Sequence, residues 1–335
     1  MKLGVIFASL LGLAAATAVV AFIGFDQVLR ALATIGWRGV GLLCVYSALP
    51  LCLLGSAWFV LVPGAAGRQW RVFVGARAVR DAGSELLPFS HLGGFVIGAR
   101  AAVLGGVPSA TASSTTVADV TTEIIAQLGF VGLGLAILAL RLGGGATRGA
   151  LLEGGLIGLL LSVAGAIALV AVQRRGLGFM EALARRFLPR AADATADFSQ
   201  ALGALYERPL RLAAAVVIHF TAWVASATGV WLALRLAGVD IHLAAVLAME
   251  SLVCAVRAAA FVAPMGIGVQ EATYAVVGPL FGLGPDMSLA VSLMKRARDM
   301  IVGVPALLVW QALESRRLVD MIGAEHDLAG KIDRG

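Results

Sequence analysis

The stretch RDAGSELLPFSHLGG, residues 80–94, combines charged side chains with residues that interrupt helices. Pro88 has no backbone N–H, and Gly93-Gly94 adds two poor helix formers, so one continuous membrane helix does not fit this stretch. Non-helical backbone inside a bilayer must be buried in protein or line a wet cavity, because lipid offers it no hydrogen-bond partner. The stretch therefore predicts a broken hairpin around a polar interior, or else a kink in packed helices.

The composition of the whole chain indicates a membrane protein. Its 335 residues are 60% hydrophobic and only 14% charged, whereas soluble domains carry about 25% charged residues. At about 20 residues a crossing, the length allows roughly six to eight helices and little else. The net charge of +6, in a membrane protein, reflects basic loops that set the orientation of the chain in the membrane and contact anionic lipid. We therefore expect no nucleic-acid partner.

Apolar runs predict an all-α polytopic fold with six full transmembrane helices and two re-entrant helical hairpins. The full spans are expected near residues 3–24, 40–62, 117–140, 151–172, 212–236 and 287–313. The Ser and Thr residues at 113–116 offer N-caps for the third span. The hairpins are expected at about 73–105 and 243–281. Together these elements form a single transmembrane domain, 1–313, followed by a short polar tail, 314–335.

The arginine-rich loops predict how the chain lies in the membrane, because such loops stay on the cytoplasmic side. Residues 68–80, the amphipathic loop 173–211 and Arg316-Arg317 all fall on that side if both interrupted segments are re-entrant. Within this loop, residues 180–206 fit an amphipathic helix on the membrane surface. Both termini are then cytoplasmic, and the expected location is the bacterial inner membrane.

The two interrupted segments also resemble each other. Arg80 precedes Pro88 in the first, and Arg257 precedes Pro264 in the second, with glycines following each proline. In the topology above, the two hairpins enter from opposite sides of the membrane. This combination predicts an inverted repeat with a substrate site near the midplane, although a match this short also fits chance similarity.

Charged residues at membrane depth form the candidate substrate-binding site. Asp119, Glu123 and Gln127 are spaced i, i+4, i+8 and share one helix face; Asp119 is also expected in the first helical turn, where the dipole stabilises a carboxylate. Each cation near the bilayer centre costs roughly 2.5–3.5 kcal/mol, so the cations at 295–299 are not expected to face lipid. The candidates are Arg80, Asp81, Glu85, His91, Arg100, Asp119, Glu123, Gln127, Arg257, Glu271, Lys295, Arg296, Arg298 and Asp299.

Ion pairs could neutralise these charges. Glu250 and Arg257, at i and i+7, could pair along one helix, and Asp299 could pair one turn back on its own helix. A structural ion-pair network is one interpretation of the cluster, and a cationic site for an anionic or polyol head group is the other; the two are compatible. Arg77, in contrast, fits a solvated interfacial helix.

Several motifs of enzymes and cofactor sites are absent from the sequence. It contains no GxxxxGK[ST] phosphate loop, no GxSxG and no HExxH. Cys44, Cys52 and Cys254 fall in apolar runs without metal-ligand spacing. We therefore expect no cofactor, no metal ion and no enzymatic activity.

The pattern RDxxSELLPFSxxGG at 80–94, with DxxxE at 119–123, resembles the lysylphosphatidylglycerol-synthase transmembrane, flippase-like family. The stretch APMGIGVQE at 263–271 is similar to the PGGLGxxE pattern of that family, with Met265 in place of its first glycine. The resemblance covers most of the chain. It implies the membrane fold expected above and lipid translocation as the activity.

Within that family, the chain most resembles the hopanoid-biosynthesis-associated (HpnL-like) membrane proteins, through LPFS at 87–90, GGFV at 93–96 and ARA at 99–101. The resemblance implies a flippase or transporter that moves a hopanoid or related polar-headed lipid across or between leaflets. Its partners would be membrane lipid, either hopanoid or anionic phospholipid, and other lipid-biosynthesis membrane proteins. Two alternative functions stay open: an intramembrane enzyme that modifies a lipid head group, and a non-catalytic partner in lipid biosynthesis. Lipid aminoacylation is not expected, because the 314–335 tail is too short for an aminoacyltransferase domain.

Overall fold

A computed structural model describes residues 36–87, 90–141, 146–187, 192–259 and 268–332. Every regular element in these ranges is a helix. The α-helices are α1 (Trp37–Tyr46), α2 (Ala48–Leu61), α3 (Trp70–Leu86), α4 (Ser90–Leu104), α5 (Ser109–Arg141), α6 (Ala146–Phe187), α7 (Ala192–Tyr206), α8 (Pro209–Leu236), α9 (Leu243–Ala259), α10 (Val269–Val277) and α11 (Pro285–Ile332), with short 3₁₀ helices at Gly67–Gln69 and Gly278–Phe281. The described part of the chain is therefore all-α, as the composition predicts.

Four segments of the described residues are long and apolar enough to cross a bilayer. They are Trp37–Leu61, Ser109–Leu140, Glu153–Gln173 and Pro209–Leu236. They match four of the predicted spans, so the chain is a multi-pass membrane protein. The predicted span at 3–24 lies outside the described residues. The predicted span at 287–313 falls inside α11, which is less apolar because residues 295–299 carry four charges.

Helices α3 and α4 form an antiparallel hairpin with closely packed backbones. Gly105, just after α4, lies against Val72 near the start of α3, whereas Gly94 near the start of α4 lies against Arg80. A Cβ at Gly94 would lie 2.6 Å from the carbonyl oxygen of Arg80, so glycine permits this approach. The helices have 17 and 15 residues, fewer than the about 20 that a full crossing needs. Pro88, where the break is predicted, lies outside the described residues.

Helices α9 and α10 form a second antiparallel pair across residues 260–267, which are outside the described ranges. Arg257 donates to Oε1 of Gln270 at 3.1 Å near the ends that face this gap. Further from the gap, the hydroxyl of Tyr274 donates to Glu250. The helices have 17 and 9 residues. The segments predicted to be interrupted are thus both pairs of short helices.

Helix α5 begins earlier than the sequence predicts. It starts at Ser109, so the Ser and Thr residues at 113–116 lie inside the helix and the N-cap prediction is wrong. The hydroxyls of Thr115 and Thr116 donate to carbonyls one turn back, at 2.7 Å each, an arrangement that satisfies them within a helix. Asp119 is therefore ten residues inside α5, about 15 Å from its start, and the first-turn explanation of its charge fails.

The predicted loop at 173–211 is largely helical. Helix α6 continues to Phe187, and α7 follows from Ala192, so the predicted amphipathic helix at 180–206 is divided between two helices. Leu202 and Leu205 of α7 are buried in a cluster with Leu61 and Ala118, so α7 packs on the bundle as well as facing outward. The polar tail at 314–335 begins as a continuation of α11 to Ile332.

The two helical pairs pack reciprocally. Helix α3 of the first pair lies against α11, the helix that follows the second pair, and α9 lies against α5, the helix that follows the first. Val79, Ala82 and Leu86 of α3 share a buried apolar cluster with Met300 and Leu307 of α11. This packing holds the two helical pairs and the helices that follow them in one bundle.

Candidate functional site

Two arginines of α3 and two carboxylates of α5 form a buried cluster, which we call the first charge cluster. Arg77 contacts Oε1 of Glu123 at 2.6 Å and Oδ2 of Asp119 at 3.3 Å. Arg80 contacts Oε2 of Glu123 at 2.5 Å and also donates to Asp119. The spacing of three residues between the arginines and of four between the carboxylates places each pair on one helix face. Each carboxylate therefore bridges both guanidinium groups.

Three further side chains complete the first charge cluster. Nε2 of His219, on α8, lies 3.0 Å from Oδ1 of Asp119. Asp81 contacts Nε of Arg77 at 2.8 Å from the more exposed side. The guanidinium of Arg80 lies 4.6 Å from the ring centre of Phe95, on α4. The cluster thus joins α3, α4, α5 and α8.

The centre of the first charge cluster is almost fully shielded from solvent. Arg77 and Arg80 are 3% and 2% exposed, and Asp119 and His219 are fully buried. Buried charges are tolerated only when they are paired and hydrogen-bonded. Removal of one partner from such a network typically costs about 3–5 kcal/mol, so the cluster fixes the first hairpin against α5.

A second charge cluster lies between the second helical pair and α11. Nζ of Lys295 contacts Oε2 of Glu250 at 2.6 Å, and the hydroxyl of Tyr274 donates to the same carboxylate. Arg296 contacts Oε1 of Glu271 at 2.7 Å. The cations at 295 and 296 are each 8% exposed. As predicted, the charges of this helix turn face protein.

Glu271 and Gln270 tie the start of α10 to its surroundings. Oε2 of Glu271 accepts a 2.9 Å hydrogen bond from the backbone N–H of Gly268. The backbone of Gly268 has φ of 79°, a conformation that glycine adopts at little cost. Gln270 donates to the carbonyl oxygen of Ser292 on α11 at 3.1 Å. The carboxylate of Glu271 therefore links the helix start with Arg296.

An ion pair joins the two helical pairs at their ends. Nη2 of Arg257, at the end of α9, lies 2.5 Å and 2.7 Å from the two carboxylate oxygens of Glu85, at the end of α3. The residues are 172 positions apart in the sequence. The side chains are 23% and 29% exposed, so this contact is more accessible than the first charge cluster.

Arg298 differs from Lys295 and Arg296, the two cations of the second charge cluster. Its ion pair is with the adjacent residue, Asp299, at 2.8 Å, whereas the others pair with carboxylates on different helices. Its Nε is buried without a hydrogen-bond partner among the described residues. Part of the guanidinium is thus available for another acceptor.

Some predicted site residues lie elsewhere or pair differently. Arg100 contacts Glu314 at 2.6 Å and is 39% exposed, away from both clusters. Gln127 contacts the sulfur of Cys254 at 2.9 Å and does not join Asp119 and Glu123.

Two predicted ion pairs are wrong. Glu250 contacts Lys295 rather than Arg257, and Asp299 contacts Arg298 rather than a residue one turn back. The side chain of His91 is not described.

The first charge cluster also contains a residue outside the predicted site. The sequence around Arg77 fits a solvated interfacial helix, yet Arg77 lies at the centre of the first charge cluster. Its spacing of three from Arg80 is the local signal for this position. His219 and Tyr274 contact Asp119 and Glu250 on other helices, so no local pattern identifies their partners.

The chemistry of the two clusters is that of buried, paired charges. Among the described residues, no group of three or more His, Cys, Asp or Glu side chains could hold a metal ion. Most guanidinium and carboxylate groups are matched. Asp81, at the edge of the first charge cluster, is 37% exposed, and the two side chains of the contact between the hairpins are 23% and 29% exposed. Such an arrangement can exchange one paired partner for a polar or charged ligand.

Comparison with known proteins supports a specific family. The family model described as the lysylphosphatidylglycerol synthase TM region matches residues 7–306. Neither a curated protein nor a solved structure matches the chain. The matched region contains both charge clusters and both helical pairs. The chain therefore belongs to the lysylphosphatidylglycerol synthase transmembrane-region family.

Proposed function

We propose that the chain is a lipid transporter of the bacterial inner membrane, which moves a polar-headed lipid across or between leaflets without altering it. The proposed substrate class is a hopanoid or a related lipid, as in the HpnL-like members that the sequence resembles. The observation that carries the proposal is the ion pair between Glu85 and Arg257, which joins the ends of two broken helical pairs. Membership of the family indicates a membrane lipid-related function, and this supports the proposal of lipid transport.

The reciprocal packing supports a route between two re-entrant hairpins of an inverted repeat. Helix α3 lies against α11, and α9 lies against α5, as expected when two similar units face each other in opposite orientations. In this topology, both termini are cytoplasmic and the hairpins enter from opposite sides. The substrate then passes the point where their ends meet.

Partly exposed charges near the meeting point offer a polar path for a head group. The side chains of Glu85, Arg257 and Glu271 are 29%, 23% and 23% exposed. A polar head group that leaves water without new partners loses several kcal/mol. Exchange with these paired side chains would reduce that cost, while the apolar tail stays in lipid.

Arg298 is our candidate for direct contact with the head group. Its strongest described contact is with its sequence neighbour Asp299, and its Nε has no hydrogen-bond partner among the described residues. Guanidinium groups bind phosphate and carboxylate through paired N–H donors. An anionic or polyol head group would complete this donor set.

Reconstitution of the purified chain in liposomes tests the proposal. The liposomes carry a hopanoid and a labelled anionic phospholipid, and the movement of each between leaflets is measured. We expect faster lipid movement than in empty liposomes, and at least about a tenfold loss of that increase for Glu85→Gln, because the guanidinium of Arg257 then has no carboxylate at the contact. Asp240→Asn, at an exposed ion pair with Arg235, is the matched control and should keep the full rate.

The same samples separate the other interpretations. Mass spectrometry of the recovered lipids would show a modified head group if the chain were an intramembrane enzyme. An unchanged lipid with no movement between leaflets, with or without a pH gradient, would contradict transport. Retained cellular function after Glu123→Gln and Glu271→Gln would then favour a non-catalytic partner in lipid biosynthesis.

A further inference from the structure

Two partly exposed ion pairs lie close together where α3, α9 and α11 meet. Glu85 contacts Arg257 at 2.5 Å. Arg298 contacts Asp299 at 2.8 Å. Asp299 also interacts electrostatically with both Glu85 and Arg257. We call these four residues the junction site; their side chains are between 18% and 29% exposed, so a ligand can reach them.

Backbone packing explains why the two ion pairs are neighbours. A Cβ at Gly303 of α11 would lie 2.9 Å from the side chain of Leu86, at the end of α3. Glu85 directly precedes Leu86, and Asp299 lies about one helical turn before Gly303. The close approach at Gly303 therefore brings the carboxylates of the two helices together, and the guanidinium groups beside them offset their repulsion.

The junction site carries no net formal charge, because two guanidinium groups face two carboxylates. The preceding cations of α11, Lys295 and Arg296, leave this balance unchanged, since each contacts a glutamate on another helix. An anionic head group in the junction site would be repelled by the carboxylates about as strongly as it is attracted by the guanidinium groups. Little would then offset the hydration that the anion loses on leaving water.

Hydroxyl groups suit a site of this composition better than ions do. A hydroxyl donates one hydrogen bond and accepts others, so it can contact a carboxylate and a guanidinium at the same time. It is uncharged and therefore loses less hydration than an ion, whereas a zwitterionic head group brings two ions that must both lose water. The site offers both kinds of partner: the carboxylates of Glu85 and Asp299, and Nε of Arg298, which has no hydrogen-bond partner among the described residues.

We propose that the junction site binds an uncharged polyhydroxy head group, a sugar or a polyol, in preference to an anionic or a zwitterionic one. Arg298 taken alone suits an anion or a polyol, and the charge balance of the whole site selects the polyol. Several hydroxyls on one head group bridge the two ion pairs without breaking them. Movement of such a lipid past the junction site rests on the proposed function, whereas retention of the head group can be measured without movement.

Three labelled lipids with the same acyl chains test this preference. Glucosyl diacylglycerol is uncharged and rich in hydroxyls, phosphatidylcholine is zwitterionic, and phosphatidylmethanol is a singly charged anion without hydroxyls. In liposomes that contain the unmodified chain, we expect the glucosyl lipid to move between leaflets at least about tenfold faster than either of the others. Native mass spectrometry of the protein in detergent measures retention of each lipid, and the same lipid should be retained most.

Two substitutions change the junction site in different ways. Asp299→Asn leaves one guanidinium in excess, so the advantage of the glucosyl lipid over phosphatidylmethanol should fall to about threefold or less. Arg298→Gln removes guanidinium donors, so retention of the glucosyl lipid should fall. Asp240→Asn, at the exposed ion pair with Arg235, is the matched control and should keep the preference of the unmodified chain.

The possible outcomes separate the preference from the proposed function. Equal movement of the three lipids, or faster movement of phosphatidylmethanol, would overturn the preference and leave lipid transport standing. Selective retention of the glucosyl lipid without movement of any lipid would overturn transport and leave the junction site standing, and neither retention nor movement would overturn both. An unchanged preference in folded Asp299→Asn would overturn charge balance as its cause; if that variant does not fold, the three lipids on the unmodified chain still decide.

Discussion

The two helical pairs contact the long helices that follow them through side chains of opposite charge. In the first, arginines on α3 meet carboxylates on the helix that follows, α5. In the second, carboxylates on α9 and α10 meet cations on the helix that follows, α11. Each pair of short helices is therefore anchored to the next long helix by ion pairs, with the signs reversed, and one further ion pair joins the two units.

The centre of the first charge cluster is also less accessible than the contact between the hairpins. Asp119 is fully buried and Arg80 is 2% exposed, whereas the side chains of Arg257 and Glu85 are 23% and 29% exposed. Paired charges that are deeply buried stabilise a fixed arrangement, while accessible ones can exchange partners. The first charge cluster should therefore control stability, and the contact between the hairpins should control transport.

The largest expected loss of stability is for Asp119→Ala. It leaves the imidazole of His219 without its acceptor and leaves the two guanidinium groups with Glu123 alone between them, and we expect a loss of about 3–5 kcal/mol. The free energy of unfolding in detergent micelles measures this effect. The exposed Asp240, replaced by alanine, should cause no measurable change. A loss below about 1 kcal/mol at Asp119 would show that the first charge cluster does not anchor the hairpin.

A close contact between backbones gives the next effect. Gly94→Ala places a methyl group 2.6 Å from the carbonyl oxygen of Arg80, and overpacking of this kind costs about 1–3 kcal/mol. Gly75, on the exposed side of α3, has no atom within 4 Å of an added Cβ. Gly75→Ala should be neutral or stabilising, and equal melting temperatures for the two variants would contradict the close packing of α3 on α4.

In the second charge cluster, Tyr274→Phe removes one hydrogen bond to a buried carboxylate. We expect a loss of about 1.5–3 kcal/mol, because Glu250 keeps Lys295 as its partner. In a Glu250→Gln background, the same substitution should cost less, since the acceptor is then uncharged. Identical losses in both backgrounds would show that the hydroxyl and the carboxylate act independently.

The smallest effect is expected for Arg100→Ala. The ion pair of Arg100 with Glu314 is partly exposed, and such pairs contribute at most about 1 kcal/mol. The rate of lipid movement in liposomes should be unchanged, which would show that Arg100 is not part of the substrate-binding site. A tenfold loss of that rate would show that it is.

Local features of the sequence predicted much of the fold. Runs of about 20 apolar residues identify membrane helices, so these runs alone predict the four spans that the structure describes. Proline and glycine identified the segment that became α3 and α4. The spacing of Asp119 and Glu123 placed them on one helix face, where they both contact Arg80.

The contacts between helices could not be predicted in this way. The partners of Glu85 and His219 are set by packing across 172 and 100 positions, and no local pattern encodes such distances. The start of α5 was misplaced because Ser and Thr also fit inside a helix when their hydroxyls bond to the preceding turn.

The most direct test of the central claim exchanges the charges between the hairpins. Lipid movement in liposomes is compared for Glu85→Arg, Arg257→Glu and the variant that carries both substitutions. Each single change places like charges in contact, and we expect at least about a tenfold loss of rate, with recovery of most of the rate in the double variant because the pair is restored. Equal losses in all three variants, or no loss in any, would contradict a transport route controlled by this ion pair.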